Sequence, residues 1–199
     1  MLRIRFGLAC FAALTLATAV VADHHEAPEM TPEQMAEMQA YMEAGTPGDP
    51  HRAMADSAGD YDLAIKSWMD PAAPPMESTG TATRKMMLDG RVMTEEVSSS
   101  MMGMPFTGFG MSGYDNVSGK QWSTWTDSMS TGIMVSEGTC DADGACVFTG
   151  SWNDPITKGP VTARMTVRWT SPTVQVFEMY GPGKDGAEMK MMEIVYTKK

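Results

Sequence analysis

Three glycines of this sequence have a spacing that is typical of nucleotide binding: Gly108, Gly110 and Gly113 form G-x-G-x-x-G. That spacing binds a dinucleotide pyrophosphate when it joins a strand to a helix, because the helix N-terminus supplies the backbone donors. Here residues 115–119 are turn formers that lead into an aromatic strand, as in a hairpin. The motif therefore predicts no cofactor loop. Two of its glycines share one strand face and leave room there for a bulky neighbouring side chain or for a bend.

A second set of residues could bind copper. If a signal peptide is cleaved after Ala22, the chain begins with an amine, two backbone amides and an imidazole that suit square-planar Cu(II), whereas cleavage after Ala19 abolishes that site. The chain also contains 22 methionines, whose thioethers select Cu(I). The residues of this alternative metal site are Asp23, His24, His25, Met101, Met102 and Met104. Methionine is also a flexible filler of protein cores, and we favour that interpretation, with no cofactor.

Carboxylates inside predicted strands offer acid–base chemistry. Glu178 shares a strand face with apolar residues, so a buried acid there would have a raised pKa and could act as a general acid or base. The same carboxylate could instead pair with Arg84 or Arg164 inside the fold, and we favour that pairing. A hydrolase triad could use only His51 as its base, and no G-x-S-x-G occurs. We therefore name no catalytic residue, and an enzyme that uses buried carboxylates stays an alternative.

Two cysteines flank the loop CDADGAC. Cys10 would leave with a signal peptide, so Cys140 and Cys146 remain as an even pair in an exported protein. The turn pair Asp143-Gly144 lies between them and indicates a hairpin that a disulfide would clip at its neck. Two carboxylates are too few for a calcium site, and C-x-x-C is absent, which disfavours a thiol-disulfide enzyme.

Three segments must position these residues. Residues 1–22 carry two arginines followed by an apolar run and small residues, which predicts a secretory signal peptide and a periplasmic or secreted bacterial protein. Residues 23–58 form a leader, in which the cap Thr31 with Pro32 and Gln34 predicts a helix that ends at Gly45. A short second helix could follow. Residues 59–199 form the third segment, which contains all five tryptophans and therefore the core.

The third segment consists of runs of about ten residues that are rich in Thr, Val and aromatics and separated by turn pairs. The clearest run is 161–170, in which apolar and polar residues alternate. Ten strands are predicted near 61–69, 77–88, 91–101, 105–114, 120–128, 131–140, 146–153, 161–170, 173–181 and 188–197. No long helix separates them, so the sheet is antiparallel. Closure into a single up-and-down barrel removes the open edges, and a β-sandwich is the alternative.

Net charge limits the partners. The chain has a formal charge of −10, and an acidic surface repels phosphate backbones, so nucleic-acid binding is disfavoured. The only long apolar run is the early one, which is too short for a membrane span, and we expect no stable membrane insertion. The oligomeric state stays open.

Seven segments in order, from about Pro47 to Lys199, resemble a bacterial family of unknown function, domain of unknown function 1579. They include STGTATRKMMLDGR, MMGMPFTGFGMSGYDN and WSTWTDSMSTGIMVSEGT. The resemblance implies a lipocalin-like, calycin-type barrel and leaves the activity unassigned. The chain departs from the family pattern in its cysteine pair and in its Met-rich, His-containing leader.

A barrel of this size can enclose one small molecule among apolar and aromatic side chains with a few polar anchors. We therefore expect a non-catalytic binder of a small apolar ligand, an expectation that rests on fold analogy. The expected lining residues are Trp68, Met86, Tyr114, Trp125, Phe177 and Met179. The expected polar anchors are Arg84, Arg164 and Glu178.

Overall fold

The computed structural model describes residues 30–183 and 185–199. Two helices, α1 (Pro32–Gly45) and α2 (Asp49–Asp56), precede ten strands. The strands are β1 (Gly59–Ser67), β2 (Met76–Met87), β3 (Val92–Met101), β4 (Met104–Asp115), β5 (Lys120–Asp127), β6 (Met134–Cys140), β7 (Cys146–Asp154), β8 (Gly159–Ser171), β9 (Val174–Pro182) and β10 (Glu188–Lys198). Each strand pairs antiparallel with its neighbour in sequence, and β1 pairs with β10 to close a barrel. The predicted barrel is confirmed, and the sandwich alternative is wrong.

Helix α1 begins and ends where the sequence predicts. Thr31 Oγ1 accepts a hydrogen bond from the Gln34 amide, and Gln34 Oε1 accepts one from the Thr31 amide, which completes the capping box. None of the helix's residues is buried. At the C-terminal end of the helix, the Arg91 guanidinium donates a hydrogen bond to the Gly45 carbonyl. The Asn116 side-chain amide donates to the carbonyls of the residues on either side of Gly45. The helix is therefore tied to the barrel at one end.

The second helix, α2, covers part of one end of the barrel, where it contacts β3 and β4. Its His51 is buried, and the Nδ1 atom accepts a hydrogen bond of 3.0 Å from the Gly48 amide. The imidazole edge packs against the Tyr114 ring at 5.8 Å between centroids. His51 therefore joins the leader to the barrel by ring packing, and its hydrogen bond stays within the leader. We call this end of the barrel the covered end and the opposite one the far end.

Inside the barrel, apolar side chains from β1, β2, β3 and β10 form the buried core cluster Tyr61, Leu63, Ala82, Val97 and Tyr196. On β4, a Cβ atom added to Gly108 would overlap the Trp125 ring, and one added to Gly110 would lie 3.2 Å from it. The glycines of the G-x-G-x-x-G pattern therefore make room for an indole, as the sequence predicts.

The loop between β6 and β7 lies at the covered end and is closed by the predicted disulfide. Cys140 and Cys146 are directly opposite each other in the β6–β7 ladder, with their Cα atoms 3.9 Å apart. The disulfide is confirmed. Among the described residues, no helix is long and apolar enough to cross a membrane.

Candidate ligand cavity

Strand register assigns every side chain of the barrel wall to its inner or outer face, because successive residues alternate. In the β8–β9 ladder, Met165 pairs with Met179 and Val167 pairs with Phe177 on the inner face. The intervening residues of both strands, which include Glu178, face outward. The same alternation applies to the other strands, and the inner faces of all the strands surround one continuous space.

That space is a cavity of about 1930 Å³ that runs along the barrel and reaches loop residues at both ends. Ligand pockets are commonly roughly 300–1,000 Å³, so this cavity is large. Its middle is lined by aliphatic and aromatic side chains, among them Ile65, Phe106, Trp125, Phe148 and Ile194. Such a lining binds the apolar groups of a ligand but does not fix the ligand's orientation.

Five of the six predicted lining residues border the cavity: Trp68, Tyr114, Trp125, Phe177 and Met179. The sixth, Met86, does not border it. Met86 pairs with Met93 one residue before the end of β2.

Two of the three predicted polar anchors lie on the outer face, which corrects the expectation that they lie inside the barrel. Glu178 accepts hydrogen bonds from the Lys190 ammonium and the Thr166 hydroxyl. The hydrogen bond from Lys190 lowers the pKa of Glu178, so it is not a buried acid with a raised pKa. Arg164 forms two hydrogen bonds, of 3.0 and 2.8 Å, with Glu188. Both faces of β9 carry apolar residues, and the sequence pattern selected the wrong one.

The third anchor, Arg84, is inside the barrel and belongs to a group of residues that we call the inner polar cluster: Arg84, Glu95, Gln175, Tyr61 and Tyr196. Arg84 Nη1 donates to Gln175 Oε1 at 2.8 Å, and its Nε lies 3.3 Å from Glu95 Oε1. The guanidinium carbon stands 4.8 and 4.5 Å from the centroids of the Tyr61 and Tyr196 rings. The cluster therefore holds a buried cation with its counter-ion.

Burial sets the ionisation of this cluster. Desolvation raises the pKa of Tyr196, and it raises that of Tyr61 against the opposing effect of Arg84. For Arg84 itself, desolvation lowers the pKa, but the combined effects of Glu95, Tyr196 and Tyr61 outweigh it, so the pKa is raised. Arg84 thus stays charged and both phenols stay neutral at neutral pH.

Sequence reasoning missed Glu95 and Gln175. The sequence carries a signal for each residue. Glu95 lies on the same face of β3 as Met93 and Val97, and Gln175 lies on the same face of β9 as Phe177. An acidic or amide residue in such a series would be the polar member of an inner face.

The structure describes only some residues of the alternative metal site. Asp23, His24 and His25 lie outside the described residues. Met101 and Met102 border the cavity at the far end, and Met104 is exposed beside them. Within residues 30–183 and 185–199, no group of three or more His, Cys, Asp or Glu side chains could hold a metal ion. Copper binding stays a prediction.

Comparison with known proteins confirms the family resemblance and the fold. The family model described as "Protein of unknown function (DUF1579)" matches residues 46–198. The crystal structure of Rv2717c from M. tuberculosis is similar at a TM-score of 0.57 and 12% identity, over 77% of this chain and 99% of that one. A redesigned beta barrel has a TM-score of 0.38 at 13% identity, over 73% of this chain and 95% of its own. No curated protein matches this chain.

Proposed function

The chain belongs to the DUF1579 family, and we propose that it is an exported, non-catalytic binding protein that holds one small, largely apolar molecule in its barrel cavity. The observation that carries the proposal is the cavity itself. A well-packed core leaves few voids larger than a water molecule, whereas this barrel holds a partly open cavity of about 1930 Å³. A protein with an apolar cavity of that size is stabilised when a ligand fills the cavity.

The chemistry of the lining supports binding rather than catalysis. Two carboxylates that border the cavity are engaged inside the barrel: Glu95 lies beside Arg84, and Asp127 accepts a hydrogen bond of 3.0 Å from the Trp125 indole N–H. Glu178, the acid that the enzyme alternative needs, is outside the barrel in an ion pair with Lys190. A general acid or base must reach the bound molecule with a free proton or lone pair.

Export is supported by the disulfide. Disulfides persist in oxidising compartments such as the bacterial periplasm, and Cys140–Cys146 closes a hairpin at the covered end. A predicted signal peptide in residues 1–22 agrees with that location.

Titration with N-phenyl-1-naphthylamine, an uncharged probe that fluoresces in apolar surroundings, tests the proposal. We expect saturable binding of one molecule per chain. The double variant Ile65→Trp, Val167→Trp places two indoles in the cavity from β1 and β8, and it should weaken probe binding at least tenfold.

The matched control is Ala64→Trp, Arg168→Trp, which adds the same indoles at neighbouring outward positions that are exposed. It should bind the probe as the unchanged protein does. Failure of the folded, unchanged protein to bind the probe, or equal binding by both double variants, would refute a ligand-holding cavity.

A further inference from the structure

The inner polar cluster holds the one ion pair among the described residues that border the cavity. Arg84 pairs with Gly59 at the start of β1, and Gln175 is the second residue of β9, so both lie toward the covered end. Arg84 and Gln175 are 7% and 6% exposed, respectively, so both residues are buried in the barrel wall. A ligand that fills the cavity therefore meets the Arg84–Glu95 ion pair toward one of its ends.

The charge along the lining disfavours an anion. Arg84 is the only lysine or arginine among the described residues that border the cavity, and Glu95 already neutralises it. The carboxylates that border the same space are Asp49, Asp56, Glu77, Glu95, Asp127 and Asp141. A carboxylate or phosphate head would enter past like charges and find its one cation already paired. Like charges in a site of low dielectric constant repel strongly.

Gln175 supplies a hydrogen-bond donor for an uncharged head. Its Oε1 atom accepts from Arg84, and no hydrogen bond of the described chain uses the Nε2 group as donor. No side-chain nitrogen or oxygen atom of the described residues is both buried and without a partner, so the Nε2 group is accessible from the cavity, where an oxygen atom of a ligand can accept from it. Hydroxyl, ester and amide oxygens are acceptors of this kind and carry no charge.

We infer that the cavity selects an elongated, uncharged amphiphile whose hydroxyl, ester or amide head contacts Gln175 beside Arg84, while its apolar chain lies against Trp125 and Phe177. This inference rests on the proposed binding function. It adds the chemical class of the ligand and its direction in the barrel, with the head toward the covered end.

Displacement of bound N-phenyl-1-naphthylamine by three ligands with the same ten-carbon chain tests the selectivity. Decan-1-ol, decanoate and decyltrimethylammonium are compared at pH 8, below the micelle concentrations of the two ions and below the solubility limit of decan-1-ol. We expect decan-1-ol to displace the probe at a concentration at least tenfold lower than either ion. Equal or tighter binding of decanoate or of the ammonium would overturn the inference and leave the binding function intact. Failure of the probe itself to bind would overturn both.

Decan-1-ol is more apolar than decanoate, so variants must show that the inner polar cluster causes the difference. Glu95→Gln leaves Arg84 without its counter-ion, and we expect the preference for decan-1-ol over decanoate to fall at least tenfold. The matched control is Glu178→Gln, the same change on the outer face, which should keep the preference. An unchanged preference in Glu95→Gln would contradict the inference.

A second pair of variants keeps the test valid should Glu95→Gln fail to fold. Gln175→Leu removes the donor at similar volume, and we expect decan-1-ol to bind at least fivefold more weakly while the probe's affinity stays the same. Gln39→Leu, on the exposed face of α1, is the control and should alter neither ligand. Equal loss of probe and decan-1-ol in Gln175→Leu would mean that the residue only maintains the cavity, and it would overturn the inference.

Discussion

The barrel wall carries two ionic clusters of similar composition on opposite faces. Inside, Arg84 contacts Glu95 and Gln175 and is 7% exposed. Outside, Lys190 donates to Glu178 and Glu193, and its side chain is 29% exposed. We call the second group the outer ion cluster. The outer ion cluster is partly exposed to water, whereas the inner polar cluster is buried between the barrel wall and the cavity. Their location, and not their composition, decides what each contributes.

The largest difference is expected when each cation is removed. Arg84→Met leaves Glu95 as a buried charge without a counter-ion, which costs about 3–5 kcal/mol of the free energy of unfolding. Lys190→Met leaves two partly exposed carboxylates, which should cost about 0–1 kcal/mol. Urea unfolding at pH 7 measures both. Equal losses in the two variants would mean that the inner cluster is as hydrated as the outer one.

Substitutions that change packing but not charge should also have a larger effect inside the barrel than outside it. Gly108→Ala places a methyl group against the Trp125 ring on the inner face, and the overlap should lower the free energy of unfolding by about 1–3 kcal/mol. Gly45→Ala, where no atom lies within 4 Å of the added Cβ, should change it by less than about 0.5 kcal/mol. Thermal and urea unfolding report both values. A neutral Gly108→Ala would show that Trp125 moves freely into the cavity.

Alkaline pH tests the buried phenols. Because the pKa of Tyr196 is raised in the folded protein, its contribution to stability is complete below about pH 10 and falls as the pH rises further. The unchanged protein should therefore lose about 1 kcal/mol more than Tyr196→Phe between pH 10 and pH 11. Unfolding at each pH, followed by circular dichroism, measures the difference. Parallel pH profiles for the two proteins would show that the phenol ionises in the folded barrel.

Acidic pH tests the outer ion cluster, where the smallest effect is expected. The hydrogen bond from Lys190 holds the pKa of Glu178 below its ordinary value of 4.5, so the stabilisation is present above that pH and is lost as the pH falls through the lower value. Glu178→Gln should cost about 0–1 kcal/mol at pH 7, and the difference should shrink steadily as the pH is lowered below 4.5. High salt should also reduce it. A difference that does not shrink on acidification would have to come from packing.

The strands were predictable because their signals are local. Turn pairs such as Asp89-Gly90 divide the chain at regular intervals, and the alternation of 161–170 identifies one apolar face. The barrel closes as expected, with β1 against β10. Thr31 and Gln34 mark the start of α1 for the same local reason.

The polar part of the site was only partly predictable, because it depends on which face of each strand is the inner one. On β9, Val174, Val176 and Tyr180 make the outer face as apolar as the inner one, so Glu178 was placed inside. On β3, Glu95 and Glu96 are adjacent, and only the register shows which of them meets Arg84. Residues that meet across the barrel are far apart in sequence, and no local pattern joins them.

Methionine methyl groups allow the central claim to be tested where the ligand would lie. Met165 and Met179 border the cavity, whereas Met35 and Met38 are exposed on α1. In methyl NMR spectra of ¹³C-methionine-labelled protein, saturating decan-1-ol should shift the resonances of the first pair and leave the second pair unchanged. Shifts confined to the α1 methyls, or no shift at the cavity methyls at saturation, would contradict a ligand held inside the barrel.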